Sequence, residues 1–566
     1  MRFMPEPLRR FSPETDVLST VYLPIYRILF QNELCDDASV LLGSHPIQGY
    51  ANATVKRPDC LLRPGAALVL DFGVELCGGV KLSLGRFLCD EKSRDKCRLR
   101  FRFGESASEV MAELYEKNAT NDHSLRDFVE PLGGMSAPLI GRTGFRFLRI
   151  DNVDKSASIA LDGVCAAATF RDIEYRGKFI SNDEELNRIF DTAAYTLHLC
   201  MQEYLWDGIK RDRIVWIGDM YPEISAMCCV FGENEAAEKS LDFARDLTAP
   251  DGYINGIYSY SLWWIRVLNR LYMQNGNVSY LKEQKDFLIR LVHQYAADID
   301  ENGVLTPNGW AMFDWPSNSD PSLPLSGVHT LLLLAYEEAA FLLRELSDEK
   351  EAAFCDEIAR RLRACPVPDH DYKQIAAIHV LAGLRDAKAE NERVLSKNGD
   401  HGISTFLGMF TYAARTLADD TAGALSNVRG VYGGMLKVGA TSFWEDFDPA
   451  WCENAGRIDE FTPEGLEDIH GDRGAFCYVG FRHSLCHGWS AGVCAYLSEY
   501  VLGVKITKPG CREIMLAPSL GDLTEVSGVY PTPHGDLEIH CKKTADGKVH
   551  TTYRAPECVK VTLAEA

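Results

Sequence analysis

The sequence predicts a multidomain protein: a central (α/α)6 toroid over residues 179–502, an N-terminal β-sandwich over 1–178 and a small C-terminal β-sandwich over 503–566. Three observations predict it. The chain has 566 residues, more than one hydrophobic core ordinarily organises. Its hydrophobic period switches near residue 181 from strand alternation to helical recurrence, and switches back after Gly503. Between those switches lie about a dozen helical segments or slightly fewer, joined by loops rich in Trp, Asp and Gly, a pattern that fits helix hairpins around one funnel. The count alone also fits a helical solenoid, although no motif repeats at a fixed period.

The N-terminal region reads as strand and turn. "AALVLDFGVELCGGVKLSL" holds β-rich runs broken by Gly, "CRLRFRFGES" and "FRFLRIDNV" alternate apolar with polar residues, and "SIALDGVCAAATFRDIEY" is a further run of this kind. Gly-rich turns between such strands suggest the sandwich. The first helix opens at Ser181 or Asn182 as a cap, with acidic residues in its first turn, and repeats Leu186, Ile189, Phe190, Ala193, Leu197 and Met201 at helical spacing. A short helix near Met220 follows, then segments at 233–247, 259–272, 279–297, 326–346, 348–363, 372–384, 404–417, 422–436 and 488–502. After Gly503 alternation returns, with turns at Pro509-Gly510 and Asp546-Gly547, the second a hairpin cue.

Composition excludes some functions. A formal net charge of -22 argues against a basic face for nucleic acid, while a neutral substrate such as a sugar is compatible with it. The 18 cysteines form no C-x-x-C pair and no zinc-spaced His/Cys set. Many sit among apolar neighbours, which reads as free, buried thiols rather than a disulfide framework. The N-terminus has no continuous apolar stretch, and no uninterrupted apolar run approaches the ~18 residues of a membrane span. The expectation is a cytoplasmic protein with no metal or other cofactor and no nucleic-acid or membrane partner. A homo-oligomer is compatible with the sequence.

One stretch mixes charge and bulk unusually: "DGIKRDRIVWIGDMYPE", residues 207–223, threads Ile209, Ile214, Val215, Trp216, Ile217 and Met220 among carboxylates and guanidinium groups. It follows the first long helix and leads into the next, so it lies at a loop and a helix N-terminus. Here the chain resembles the α-L-rhamnosidases of glycoside hydrolase family 78, whose signature runs Asp-Cys-Pro-x-Arg-Asp-Glu-x-x-Gly-Trp-x-Gly-Asp. Asp207, Arg211, Asp212, Trp216, Gly218 and Asp219 match it. "LDFGVELCGG" and "RLRFRFGES" are similar to the family's preceding β-domain, "FDWPSNSD" to its Asp-Trp loop, "TSFWEDFD" to the segment of its catalytic base, "SLCHGW" to its Ser-Leu-Asn-His element and "YPTPHGDLEIH" to its C-terminal sandwich. One departure stands out: the family's Arg-Asp-Glu becomes Arg211-Asp212-Arg213, and the interval to the tryptophan is one residue shorter. The missing glutamate is the family's general acid.

Glycoside hydrolysis needs two carboxyl groups flanking the bond, one donating a proton and the other, in an inverting enzyme, activating water. Arg213 has no accessible neutral form and cannot be the acid. The resemblance implies inversion, Glu445 as base, and Asp207, Arg211, Trp216 and Asp219 as rhamnose contacts. The acid is then sought in Asp219 first, where Ile217 and Met220 can desolvate it, and in Asp212 second, where flanking Arg211 and Arg213 favour the charged form. Trp315 and Trp264 are candidate sugar platforms, and His487 a hydroxyl partner. Bland alternatives stand beside each: an Asp207–Arg211 structural ion pair, Asp212 as a helix cap, Glu223 as a first-turn helix acid, a loop salt bridge at Glu445, and core positions for His487, Trp315 and one of Trp263 and Trp264. The expected function is an inverting exo-glycosidase that removes terminal α-L-rhamnosyl residues. The alternatives are a glycosidase of the same fold for another sugar, and a non-catalytic carbohydrate-binding protein that lost its acid. The "WE" at 444–445 disfavours the last, since binding alone needs no water-activating base.

Overall fold

The structure, a computed structural model, describes residues 17–43, 59–91, 95–476 and 478–564. The expected reading of the extreme N-terminus falls outside the described residues.

Strands β1 (Ser19–Pro24), β2 (Arg27–Gln31), β3 (Cys60–Leu62), β4 (Ala67–Leu88), β5 (Lys96–Gly104), β6 (Asp127–Gly133), β7 (Leu139–Asn152) and β8 (Ser158–Phe170) make one hydrogen-bonded sheet. Its order is β1-β8-β4-β7-β5-β6, with β2 on β4 and β3 on β8. What reads in sequence as short runs broken by Gly is the single 22-residue strand β4. The glycines mark irregularities within it rather than ends: its register slips between Asp71 and Leu76 and between Gly78 and Val80. At Gly78, φ 148°, a Cβ would lie 2.2 Å from the Ala167 carbonyl oxygen, so only glycine lets the neighbouring strand close there. The alternating apolar residues of β4, β5, β7 and β8 meet in one core that includes Leu82, Leu99, Phe101, Leu148 and Leu161.

The chain then forms twelve helical segments among the described residues: α1 (Glu184–Cys200), α2 (Met220–Val230), α3 (Glu235–Asp246), α4 (Tyr260–Asn275), α5 (Val278–Ala296), α6 (Ser322–Glu345), α7 (Glu349–Ala364), α8 (Lys373–Leu381), α9 (387–395), α10 (Gly408–Leu417), α11 (421–437) and α12 (488–501). The cap of α1 is Asp183, whose carboxylate accepts from the Glu185 and Leu186 amides, two positions beyond the earlier of the expected caps. The unexpected element is α9, a polar segment ending in a π turn, too short to show a hydrophobic face in sequence.

Two kinds of helix alternate. In α7 the buried apolar residues Ala352, Cys355, Ile358, Ala359 and Leu362 form one stripe, as on an outer helix. In α2, ten of eleven residues are buried, on all sides. The even-numbered helices pack on one another in turn: α2 on α4, α4 on α6, α6 on α8, α8 on α10, α10 on α12, and α12 back on α2. This explains the apolarity of α6, which is long and apolar enough to cross a membrane yet has 72% of its most apolar window buried.

The C-terminal strands form two sheets. β12 (Val504–Lys508), β13 (Glu513–Leu516) and β17 (Lys560–Leu563) make one. The other orders β16 (Val549–Arg554), β15 (Gly535–Lys543), β14 (Glu525–Thr532) and β9 (Lys178–Ser181). The hairpin predicted at Asp546-Gly547 joins β15 to β16. Strand β9 precedes the first helix but pairs Lys178–Ser181 with Val529–Val526, so the N-terminal edge of the helical region is stitched into the C-terminal sheet.

Candidate active site

Several candidate side chains stand in the segments that lead into the inner helices, while Glu445, Arg211, Asp207 and Asp212 lie in longer loops. Asp219 precedes α2, Tyr260 opens α4, Asp314 and Trp315 precede α6, Tyr372 precedes α8, Ser404 and Thr405 precede α10, and His487 precedes α12. Amide donors and the positive ends of the helix dipoles therefore converge on one mouth of the ring, a setting that favours carboxylates and other oxygen acceptors.

The 207–219 stretch folds on Asp207. Its buried carboxylate accepts from the Asp212 amide at 2.7 Å and the Ile214 amide at 3.0 Å. Burial pushes it up to about 7, against the pull of nearby His487. With both oxygens engaged by its own loop, Asp207 is first of all the residue that shapes the turn. Arg211 does not pair with it. The Arg211 guanidinium instead donates through Nη2 to Glu445 Oε2 at 2.9 Å, lies over the Tyr478 ring at 4.0 Å, and approaches Asp212 Oδ1 at 3.9 Å through Nε. Asp212 is no helix cap: Oδ2 accepts from Trp216 Nε1 at 3.1 Å, and Oδ1 lies 3.2 Å from His123 Nε2. Arg213 turns away, donating to the Arg142 carbonyl and covering Trp206.

Asp219 is 3% exposed and sits among Ile217 and Met220, both fully buried. Tyr260 Oη donates to its Oδ1 at 3.3 Å, and His487 Nε2 lies 3.1 Å from Oδ2. Burial pushes Asp219 up to about 8, while it pushes His487 down. A protonated Asp219 and a neutral His487 can thus share one hydrogen bond near neutral pH. One turn further along α2, Glu223 is buried, and neither of its oxygens has a hydrogen-bond partner among the described residues. Burial, then the charges of Asp219 and Asp207, hold it well above the usual carboxylate range. It does occupy the first helical turn, but facing inward.

Glu445 is buried opposite this wall. Its Oε2 also accepts from the Ser484 amide at 3.2 Å, and its carbonyl accepts from Trp489 Nε1 at 2.9 Å. Burial raises its pKa despite Arg211 and His487, which pull it down. The space beside it is bounded by Asp314, Trp315, Phe406, Tyr478 and Trp489 and is about 20 Å³, room for a water but not for a sugar ring. Tyr478 fills the mouth: in β11 (Tyr478–Val479), which pairs with β10 (Gly474–Ala475), it stands between Arg211 and the edge of Trp315. Asp314 accepts from Ser404 Oγ and Tyr372 Oη, and burial pushes it up to about 7.

Trp264 corrects the sequence reading. It is fully buried, donates to the Leu241 carbonyl at 3.2 Å and packs on Phe287, facing the outer helices. Its neighbour Trp263 takes the inward position, against Tyr221, Phe406 and Phe410. Trp216 is half-buried, with its edge on Tyr260.

Sequence reasoning missed the groups under the site. Glu105, in "FGES", accepts from the Leu485 amide at 2.7 Å and pairs with Lys210 at 2.9 Å. Lys210 also donates to the Phe481 and His483 carbonyls. Glu105, Glu109 and His470 bring three potential ligand atoms within 4.8 Å, but the Lys210 ammonium lies against both carboxylates, where a cation would sit. The donor set does not suit a metal.

This ring, with its carboxylates at the helix N-termini, has the build of a glycosidase of the six-hairpin class. Comparison bears out the resemblance to the bacterial α-L-rhamnosidases. Residues 174–354 match the family model described as the bacterial α-L-rhamnosidase six-hairpin glycosidase domain, and residues 503–564 match that of the bacterial α-L-rhamnosidase C-terminal domain. The chain is 21% identical over 535 residues to an α-L-rhamnosidase of Alteromonas sp. (strain LOR), covering 85% of this chain and 54% of that protein. Its fold is similar to a family 78 rhamnosidase of Bacillus sp. GL1, with TM-score 0.71 and 22% identity over 91% of this chain and 55% of that one. It is also similar to a rhamnosidase from Klebsiella oxytoca solved with rhamnose bound, with TM-score 0.67 and 20% identity over 85% and 95%. The chain spans about half the length of the Alteromonas relative.

Proposed function

We propose that the chain is an inverting exo-glycosidase that removes terminal α-L-rhamnosyl residues, working in the cytoplasm. The observation that carries this reading is the Arg211–Glu445 contact, which joins two segments 234 residues apart at one mouth of the helix ring. The cyclic order of the six inner helices supports an (α/α)6 toroid over 179–502, and the flanking sheets support β-sandwiches over 1–178 and 503–566. Glu445 acts as base on a water. The sugar takes the place that the Tyr478 ring fills, Trp315 and Trp216 cover its apolar face, and Arg211, Asp207 and His487 meet its hydroxyls.

Asp219 is the acid in this reading, because its environment keeps a proton on it near neutral pH. A second reading assigns the acid to Asp212, favoured by separation. Two contacts and the width of one guanidinium cap its distance from Glu445 at about 9 Å, below the upper limit of the ~6.5–9.5 Å separation of inverting enzymes. Leaving-group dependence separates them. A nitrophenyl rhamnoside needs little protonation on departure, whereas a disaccharide needs full protonation. The mutant of the true acid, Asp219→Asn or Asp212→Asn, loses about 10²–10⁴-fold on the disaccharide and far less on the nitrophenyl substrate. Equal loss on both substrates in both mutants means that neither residue is the acid.

A further inference from the structure

The opposite mouth of the ring holds a second cavity of about 250 Å³, lined among others by Tyr221, Arg266, Arg270, Glu338, Glu499 and Lys505. Along α4, Tyr260 belongs to the candidate active site and Arg270 to this cavity, about 15 Å of helix apart. The layer of Tyr221, Trp263 and Phe410 lies between. The strands β12 and β14 close the far side through Val504, Lys505, Ile506 and Tyr530.

The charges here do not cancel. Arg266 contacts Glu338 at 3.3 Å, and Arg270 pairs with Glu499. Lys505 forms no ion pair among the described residues; its ammonium lies over the Tyr500 ring at 3.1 Å. Three cations thus face two carboxylates. One donor on each arginine is also unused: Arg266 is 6% exposed, its Nε and Nη2 donate to Glu338 and Tyr221, and among the described residues neither its Nη1 nor Arg270 Nε has an acceptor. Cations near the carboxyl ends of helices are expected, but Arg266 lies nine residues before the end of α4, out of reach of that effect. A buried guanidinium N–H without an acceptor costs stability, and both of these arginines line the cavity. Met273, Val504, Ile506 and Tyr500 give the cavity apolar walls.

We propose that this cavity is a second binding site, distinct from the sugar site, for a small oxyanion of single negative charge. The Arg266 and Arg270 N–H groups donate to its oxygens, and Lys505 balances its charge. Burial lowers Lys505 to about 8, and an anion beside the ammonium would raise that value again.

The test is thermal denaturation of the full chain with acetate, and separately with inorganic phosphate, against chloride at matched ionic strength. A ligand that binds only the folded state raises the melting temperature in a saturable way. The expected result is saturable stabilisation by at least one oxyanion. Acetate alone acting identifies a carboxylate site; phosphate alone acting identifies a phosphate site. Lys505→Gln, on a β-strand and partly exposed, should weaken the effect about tenfold or more in ligand concentration, and Arg266→Met should abolish it. If Arg266→Met does not fold, Lys505→Gln still decides. The proposal is overturned if neither oxyanion exceeds chloride, or if Lys505→Gln responds as the parent does.

Discussion

Replacing Glu445 by Gln separates its proton affinity from its place in the structure. Both of its side-chain donors, Arg211 Nη2 at 2.9 Å and the Ser484 amide at 3.2 Å, converge on Oε2. A glutamine that turns its amide oxygen toward them keeps both bonds. What is lost is charge, and the expected cost to stability is the difference between a charged and a neutral hydrogen bond, about 1–2 kcal/mol. The loss in rate should be larger: about 10²–10⁴-fold, or roughly 3–5 kcal/mol of barrier, for removal of a general base. Initial rates on nitrophenyl and disaccharide rhamnosides, with calorimetric titration of rhamnose, divide the two effects. The expected outcome is a fall in kcat with sugar affinity largely retained. Proton NMR of the parent's first-formed sugar should show the anomer opposite to the substrate's. Because the base must be ionised, parent activity should fall as pH drops through a pKa above the 4.5 of an ordinary glutamate, and Glu445→Gln should lack that limb. Retention of configuration, or near-normal kcat in the mutant, would refute the assignment.

Glu223 gives a pH prediction. Its folded pKa is raised, so the unfolded chain loses this proton first; stability then declines as pH rises above 4.5, until the folded pKa is passed. Glu223→Gln should remove that decline, and denaturant titrations from pH 5 to 9 should show the mutant gaining on the parent as pH rises. Trp264→Ala should cost about 3–5 kcal/mol of stability, as for other buried aromatics, with KM of the remaining folded enzyme unchanged; Trp315→Ala should do the reverse, raising KM with little change in the denaturation midpoint. Thiol titration of denatured protein should find nearly all 18 cysteines reduced. The pair to watch is Cys35 and Cys60, whose sulfurs lie 3.4 Å apart. Several native disulfides would sink the cytoplasmic assignment.

The helical region was legible because its signals are local. Leu186, Ile189, Phe190, Ala193 and Leu197 announce α1 within its own sequence, and all are buried. Arg211 and Glu445 were legible only through their motifs, and the structure brings them into contact. Their local sequences say nothing of a partner 234 residues away. Other features are decided by neighbours no local pattern reveals. Trp263 and Trp264 are consecutive on one helix, and which of them faces inward depends on where α2 and α10 pack. β9 looks like the end of the first β region, yet its partner is Val526–Val529. The glycines of β4 read as breaks because a strand that continues through a register slip has no marker of its own.

The protonation pattern at the mouth is the clearest case of a property that belongs to the ring rather than to any segment. In sequence, Asp219 lies just before a helix and Glu223 reads as a first-turn acid, where the helix dipole favours a charged carboxylate. In the structure neither makes a side-chain capping bond. Asp219 faces Tyr260 and His487 from two other inner helices, and Glu223 meets no donor among the described residues. Six apolar helices exclude water, and for both carboxyls burial outweighs the dipole. The same exclusion acts on Glu445, but there Arg211 and the Ser484 amide supply donors that favour the ionised form. One mouth thus holds a carboxyl kept protonated and a carboxylate kept paired, the division of labour that an acid and a base require. Arg213 stands where the resembled signature has its glutamate, and on the proposed reading that division persists without it. On the proposed reading, the acid's role passes from a residue legible in the motif to Asp219, whose raised pKa comes from burial in the assembled ring.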